Sequence, residues 1–127
     1  MPVVAAVFAL LAAALHVAIF LMEAVLWTRP AVYRRFGLAS ADEAVATKSM
    51  AYNQGFYNLF LAVGALLGAV LLGPAGVVGA TLVVFACGSM LAAALVLVTS
   101  DRSKARAASV QGLFPLLALV ALGAAAL

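Results

Sequence analysis

The sequence predicts an all-α membrane protein, a four-transmembrane-helix bundle with both termini on the non-cytoplasmic side. The 127 residues are 69% hydrophobic and 9% charged, whereas a soluble domain has about a quarter charged residues. The apolar residues fall in four long runs separated by short segments. Every Lys and Arg lies in two of those segments, so the basic charge indicates topology rather than a soluble basic domain.

The four runs have the length of membrane-spanning helices. A bilayer core of about 30 Å requires about 20 helical residues, and the runs cover residues 3–27, 49–72, 77–99 and 108–127. None alternates polar with apolar residues as a barrel strand would. The first run follows no basic segment and, at about 26 residues, is too long for the apolar region of a signal peptide. We therefore expect one four-helix domain over residues 1–127 that begins with a spanning helix.

The placement of charge predicts the orientation. Connections one and three contain all the basic residues, and connection two (residues 73–76) and both tails contain no charged side chain. The positive-inside rule assigns the basic connections to the cytoplasm, here of a bacterial plasma membrane. No helix or strand carries a basic stripe, so nucleic acid is not expected as a partner. The seven basic residues are Arg29, Arg34, Arg35, Lys48, Arg102, Lys104 and Arg106.

The first connection is the only long one. Its segment 33–36, of sequence YRRF, suits the lipid headgroup layer because arginines reach phosphates and rings pack at the interface. Ser40 followed by Glu43 fits a capping box and predicts a short helix over about residues 41–50 that leads into the second span. An amphipathic segment on the lipid surface and a specific binding element remain the two alternatives for this connection.

Small residues predict where helices approach each other closely. Gly64 with Gly68, and Gly76 with Ala80, lie four residues apart, a spacing that brings backbones together in lipid. Cys87 is the only cysteine. A single thiol cannot form an internal disulfide, and we expect a small buried side chain.

Two ionisable side chains in the first span are the main functional candidates. His16 and Glu23 are seven residues apart, which places them on one helix face. At about 1.5 Å per residue, His16 is near the middle of the membrane and Glu23 is near the cytoplasmic boundary. Such groups cost about 2.5–3.5 kcal/mol at the centre of a span and seldom occur there without a partner or a task. Trp27 extends the same stripe, either as an interfacial anchor or as part of a site.

The second span begins with hydrogen-bonding side chains at the depth of Glu23. Residues 52–58 have the sequence YNQGFYN. Gln54 and Asn58 share a face, Tyr57 is adjacent to it, and Asn53 pairs with Tyr57 at the same spacing of four. These groups predict either a satisfied hydrogen-bond network around Glu23 or a pocket that opens toward the cytoplasm or the inner leaflet.

The fourth span adds two polar features to this layer. Gln111 lies near its cytoplasmic end, and Pro115 removes the amide hydrogen that would bond to the Gln111 carbonyl. The opposite half of the membrane is nearly all aliphatic and glycine residues. The polar groups of the chain therefore concentrate in one half of the membrane.

Together these residues resemble a known family, the small bacterial and fungal membrane proteins catalogued as domain of unknown function thirteen-oh-four. The resemblance spans essentially the whole chain and includes the stretch NQGFYNLFLA at residues 53–62. It sharpens the candidate site and implies no particular activity. The positions that match the family's motif are His16, Glu23, Trp27, Asn53, Gln54, Gly55, Tyr57, Asn58, Gln111 and Pro115.

The first functional hypothesis is that the polar layer binds, and isomerises or cyclises, a small lipophilic molecule. Glu23 would be a general acid or base, His16 would relay its proton, and Tyr57 would complete the catalytic group. The chain has no nucleotide motif and no metal-ligand spacing, so we predict no cofactor. The remaining site residues would contact the ligand, with Trp27 stabilising a developing cation; they are Trp27, Asn53, Gln54, Asn58 and Gln111.

Two other classes of function remain open. A proton-coupled transporter or channel would use His16 and Glu23 as a relay, and would act as an oligomer such as a homodimer. A structural or accessory subunit would use the polar layer only for assembly, with Glu23 bonded to Asn58 or Gln54 to fix helix register. In that case His16→Ala and Glu23→Gln would only destabilise the fold.

Overall fold

The computed structural model describes residues 2–126, and no strand occurs among them. Four stretches are long and apolar enough to cross a membrane: Pro2–Val25, Ala41–Leu71, Gly76–Ser100 and Arg102–Ala125. The predicted all-α class with four spans is therefore confirmed, and the chain is an integral membrane protein. Leu127, the predicted end of the fourth span, lies outside the described residues, as does Met1.

The described residues form five α-helices and two short helical turns. The first helix, α1 (Pro2–Phe20), continues as a π-helical turn (Leu21–Val25), and a 3₁₀ turn (Arg102–Lys104) precedes the last helix. The other helices are α2 (Pro30–Arg35), α3 (Ala41–Leu71), α4 (Gly76–Ser100) and α5 (Ala105–Ala126).

The short helix α2 has well-defined ends. Pro30 occupies its first turn after the extended residue Arg29, as expected for a residue without an amide hydrogen. Gly37 follows with a φ of 87°, a left-handed conformation that favours glycine. The Leu38 amide donates to the Tyr33 carbonyl and the Gly37 amide to the Arg34 carbonyl, both at 3.0 Å. This Schellman motif stops α2 and turns the chain toward α3.

Helix α3 begins at the predicted capping box and continues without a break into the second span. The Glu43 amide donates to Ser40 Oγ at 3.2 Å, and the Glu43 carboxylate accepts from the Ala39 amide at 2.9 Å. The capping prediction is confirmed. With 31 residues, α3 is about 46 Å long, which exceeds a bilayer core of about 30 Å. Roughly its first ten residues therefore extend beyond the hydrocarbon.

One compact unit consists of residues 1–15 and 61–127. Its core is built from small side chains, among them Ala9, Ala65, Ala86 and the buried Cys87. Such residues let helices approach closely where no water is available to drive apolar association. The burial of Cys87 confirms the sequence prediction.

Three glycines test the predicted close approaches in this unit. A Cβ on Gly68 would lie 2.8 Å from the Val83 amide nitrogen, and one on Gly64 would lie 3.4 Å from Ala86 Cβ, so α3 and α4 pack there as predicted. The prediction for Gly76 is wrong, because a Cβ there would meet nothing within 4 Å. Gly79, one turn further along α4, makes the close contact instead, against the backbone of Leu71 and Leu72.

The second compact unit is residues 16–60. It contains the end of α1, the π-helical turn, α2 and the first part of α3. Its apolar cluster contains Trp27, Val32, Tyr33, Ala44 and Ala51. Helix α2 packs its apolar residues Val32 and Tyr33 inside this cluster. The two alternatives for this connection, a segment on the lipid surface and a specific binding element, stay predictions. Only Arg34 and Arg35 of the YRRF segment are exposed.

Candidate functional site

The site centres on a hydrogen bond between an acid and an amide in the second unit. Asn58 Nδ2 donates to Glu23 Oε2 at 2.8 Å, and both side chains are buried, with 8% and 9% of their surface exposed. The same nitrogen donates to the Gln54 backbone carbonyl at 3.2 Å. Because the amide nitrogen is held from two directions, its position beside the carboxyl is fixed.

Glu23 lies within the π-helical turn, Leu21–Val25. The Leu26 amide donates to the Leu21 carbonyl at 2.9 Å, a bond that spans five residues instead of four. Such turns are rare and occur frequently at functional sites. The turn rotates the residues that follow it, so it sets the direction in which Glu23 and Trp27 point. The sequence analysis missed it because the segment contains neither proline nor glycine.

Because residue 55 is a glycine, the π-helical turn and α3 lie close enough for the hydrogen bond between Asn58 and Glu23. A Cβ at this position would lie 3.0 Å from both Cβ and N of Ala24 and 3.2 Å from Glu23 Cβ. Few real Cβ contacts are so short, so a side chain at residue 55 would push the turn away. Gly55 precedes Asn58 by three residues on the buried face of α3, so the gap it leaves controls the reach from Asn58 to Glu23.

His16 is the deepest of the predicted site residues. Its side chain is completely buried, and it belongs to the same unit as Glu23. The two residues are separated by about 10 Å along the helix axis. The structure thus places both ionisable groups inside the protein, and a relay of protons between them stays a prediction.

Trp27 is a core residue and not a lipid-facing anchor. Its indole Nε1 donates to Thr47 Oγ1 at 3.1 Å, and its ring centroid lies 4.9 Å from that of Phe36. Only 9% of its surface is exposed, so the anchor interpretation is wrong. The physical reason is that α2 and the start of α3 fold over the ring.

Thr47 is a residue that the sequence analysis did not single out. Its hydroxyl accepts from Trp27 and donates to the Glu43 carbonyl at 2.8 Å, one turn back along α3. It therefore connects the capped start of α3 to Trp27, two residues beyond the first span. A threonine four residues after the Glu of a capping box was the available signal.

Three predicted site residues lie on the exposed side of α3. Asn53, Gln54 and Tyr57 are exposed, Tyr57 by 56% of its surface. Tyr57 precedes Asn58 by one residue, which rotates it by about 100° from the buried stripe. The expectation that the Tyr57 phenol would point inward toward Glu23 is therefore wrong. The side-chain amide of Asn58 does contact the Glu23 carboxyl. We call Asn53, Gln54 and Tyr57 the exposed polar face.

A cluster of rings lies beside the site. Phe56 is in contact with Phe20 and with both aromatic neighbours on its own helix, with centroid distances of 5.2 Å to Phe20, 4.9 Å to Tyr52 and 6.2 Å to Phe60. Tyr52 and Phe60 are more than half exposed. The contact between Phe20 and Phe56 joins the end of α1 to α3, one residue after Gly55.

Gln111 and Pro115 belong to the first unit. Gln111 is half-buried. Pro115 lies inside α5, as predicted for the fourth span, and is also buried. Within residues 2–126, no three His, Cys, Asp or Glu side chains come together as a metal site would require. The predicted site residues in the second unit provide the carboxyl of Glu23, the imidazole of His16, the indole of Trp27, the phenol of Tyr57 and three side-chain amides.

Comparison with known proteins gives one match. The model of a family described as "Protein of unknown function (DUF1304)" matches residues 10–123. No curated protein and no solved structure matches the chain.

Proposed function

The chain belongs to the DUF1304 family, and we propose that it binds a small lipophilic molecule whose polar end is held beside Glu23. The observation that carries the proposal is the buried carboxyl of Glu23, fixed by Asn58 inside a π-helical turn. A carboxyl in a span is costly, and its partner here is a neutral amide rather than a cation. A polar group on a ligand would complete its hydrogen bonding.

The exposed polar face supports the same proposal. Gln54 and Tyr57 flank Asn58 on α3 and are exposed. In lipid, exposed amide and phenol groups have no water to bond, so a ligand with hydroxyl or carbonyl groups would stabilise them. The apolar remainder of such a ligand would lie among acyl chains. The ligand class is therefore an amphiphile, such as an isoprenoid, a sterol-like lipid or a quinone.

The second part of the proposal is that the protein catalyses proton transfer on the bound molecule. Glu23 would exchange a proton with the bound molecule, and His16 and Tyr57 would supply further acid and base groups. Isomerisation or cyclisation fits this set, since both need only movement of protons. Trp27 and Asn53 stay predicted ligand contacts in this unit, and the contact predicted for Gln111, which belongs to the other unit, is not part of this proposal.

The binding proposal is tested by identifying what co-purifies with the protein. The wild type and Glu23→Gln are extracted in mild detergent, and bound small molecules are measured by native mass spectrometry. Asp42→Asn is the matched control, because it makes the same acid-to-amide change at an exposed position of α3. We expect a bound molecule in the wild type and the control, reduced at least tenfold in Glu23→Gln. Equal occupancy in all three would contradict the proposal.

A purely structural role is the second candidate, favoured by the bond that Asn58 already makes to Glu23. In that case the polar groups fix the register of α3 against the π-helical turn, as in an accessory subunit. Glu23→Gln would then lower thermal stability, and no small molecule would co-purify with the wild type. The experiment above separates the two candidates, because the structural role predicts no ligand in any variant.

We further propose that the protein lies in a bacterial plasma membrane with both termini outside. All seven basic residues lie in connections one and three of a chain with four spans. A membrane-impermeant maleimide should label Gly73→Cys in intact spheroplasts and leave Ser103→Cys unlabelled until lysis. Cys87 is buried and gives little background. The reverse labelling pattern would show the opposite topology, with both termini in the cytoplasm, and would contradict the proposal.

A further inference from the structure

Two neighbouring arginines on α2, Arg34 and Arg35, have no role in the proposed function. Val32 and Tyr33 are buried, with 9% and 5% of their surface exposed, in the cluster around Trp27. Arg34 and Arg35 follow directly and are exposed. Since the Schellman motif at Gly37 also fixes the end of α2, the helix is a rigid support that presents two guanidinium groups on its outer side.

The depth of one of these groups is set by a contact with the first span. Arg35 Nη1 lies 3.9 Å from Met22 Sδ. Met22 is three residues before the end of the span Pro2–Val25, which is about 4.5 Å at 1.5 Å per residue. If the end of this span marks the edge of the hydrocarbon core, the guanidinium lies within about one helical turn of the headgroups, where lipid phosphates begin.

The charge of the surrounding segment is complementary to an anion. Residues 29–48 contain four basic side chains and two acidic ones, Asp42 and Glu43. The Glu43 carboxylate already accepts the Ala39 amide at the start of α3. Guanidinium groups bind phosphate through paired N–H donors, and basic residues at the membrane surface attract anionic lipids.

We propose that Arg34 and Arg35 form a binding site for the headgroup phosphate of an anionic phospholipid. Arg35 approaches the phosphate from the edge of the membrane core, and Arg34, one position earlier on the same short helix, adds a second donor group. The site is independent of Glu23 and of the ligand proposed above. It differs from general attraction to a charged surface because the fold of residues 26–51 holds the two groups in place.

The test measures retained lipid by native mass spectrometry after reconstitution in equal amounts of phosphatidylglycerol and phosphatidylcholine. The proteins are the wild type, Arg34→Gln/Arg35→Gln, and the matched control Arg102→Gln/Arg106→Gln, which removes the same charge from the third connection. We expect the wild type and the control to retain phosphatidylglycerol over phosphatidylcholine, and Arg34→Gln/Arg35→Gln to retain at least tenfold less of it.

Three results would overturn the proposal. One is equal retention of the two lipids by the wild type, and another is an equal loss in the control double variant, which would show general charge attraction. The third is thermal stabilisation of the delipidated wild type by millimolar inorganic phosphate to the same extent as by phosphatidylglycerol, which would assign the site to free phosphate. A far-ultraviolet circular dichroism spectrum of Arg34→Gln/Arg35→Gln that matches the wild type shows that any loss of lipid is not a loss of fold.

Discussion

Asn58 Nδ2 lies 2.8 Å from Oε2 of Glu23, with Gly55 one turn earlier on the same helix leaving the space for that approach. The bond joins residues 35 positions apart in the chain. It fixes the π-helical turn against α3. Stability, ligand binding and the position of the carboxyl should therefore respond together when any of these three residues changes.

Removal of the amide should destabilise the protein. Asn58→Ala leaves the Glu23 oxygen without its donor in a buried place, which costs about 1–3 kcal/mol. In a double-mutant cycle with Glu23→Ala, which removes the acceptor, we expect a coupling of about 0.6 kcal/mol or more, the typical value for interhelical hydrogen bonds in membranes. Reversible unfolding in mixed micelles measures both quantities. Additive effects within error would show that the two side chains do not stabilise each other.

A methyl group at residue 55 should separate the helices. Gly55→Ala places a Cβ 3.0 Å from Ala24, and we expect a loss of about 1–3 kcal/mol in unfolding free energy from overpacking. Gly88→Ala is the matched control, because a Cβ there meets nothing within 4 Å and lies inside α4. The control should be neutral or stabilising by up to about 1 kcal/mol. Equal effects of the two changes would show that Gly55 is not a close contact.

The burial of Trp27 can be tested by its fluorescence, since it is the only tryptophan. With its ring inside the protein and its Nε1 bonded to Thr47, we expect weak quenching by brominated lipids and by iodide. Thr47→Val should shift the emission and cost about 0.5–1.5 kcal/mol, because the indole donor loses its acceptor. Strong quenching by brominated lipid in the wild type would return Trp27 to the role of a lipid-facing anchor.

Asp101, which lies outside the spans, makes a pH-dependent contribution to the stability of the folded protein. The Ser103 side chain donates to Asp101 Oδ1 at 2.6 Å and the Ser103 amide donates at 2.9 Å, and these bonds lower the pKa of Asp101 below its ordinary 3.8. A carboxyl with a lowered pKa in the folded state contributes stability above its unfolded pKa and loses it as the pH falls through the folded value. Carboxyl-carbon NMR titration should show a lower pKa in the wild type than in Ser103→Ala. The same pKa in both proteins would contradict the assigned cause.

Much of the fold follows from the sequence, because hydropathy and length determine the spans in lipid. The four runs, the capping box at Ser40 and Glu43, and the close approach at Gly68 all depend on local chemistry that the sequence states directly. The assignment at Gly76 was wrong because spacing alone does not say which turn of a helix meets its neighbour. Gly79, three residues later, makes that contact.

The site was predicted in part. The spacing and depth of the polar residues predicted Asn58 or Gln54 as the partner of Glu23, and the structure gives Asn58. The direction predicted for Tyr57 was wrong, because residues within one turn of each other can point to opposite sides of the packing surface. The π-helical turn and the folding of α2 over Trp27 depend on tertiary contacts. No local sequence feature indicates either of them.

The most direct test of the central claim is carboxyl-carbon NMR of the protein labelled at glutamate and titrated with the molecule that co-purifies with it. The chain has two glutamates, so Glu43, at the capped start of α3, is an internal control within the same spectrum. We predict that the Glu23 resonance shifts progressively and saturates while the Glu43 resonance stays constant. A Glu23 resonance that does not move while the molecule binds would contradict the account.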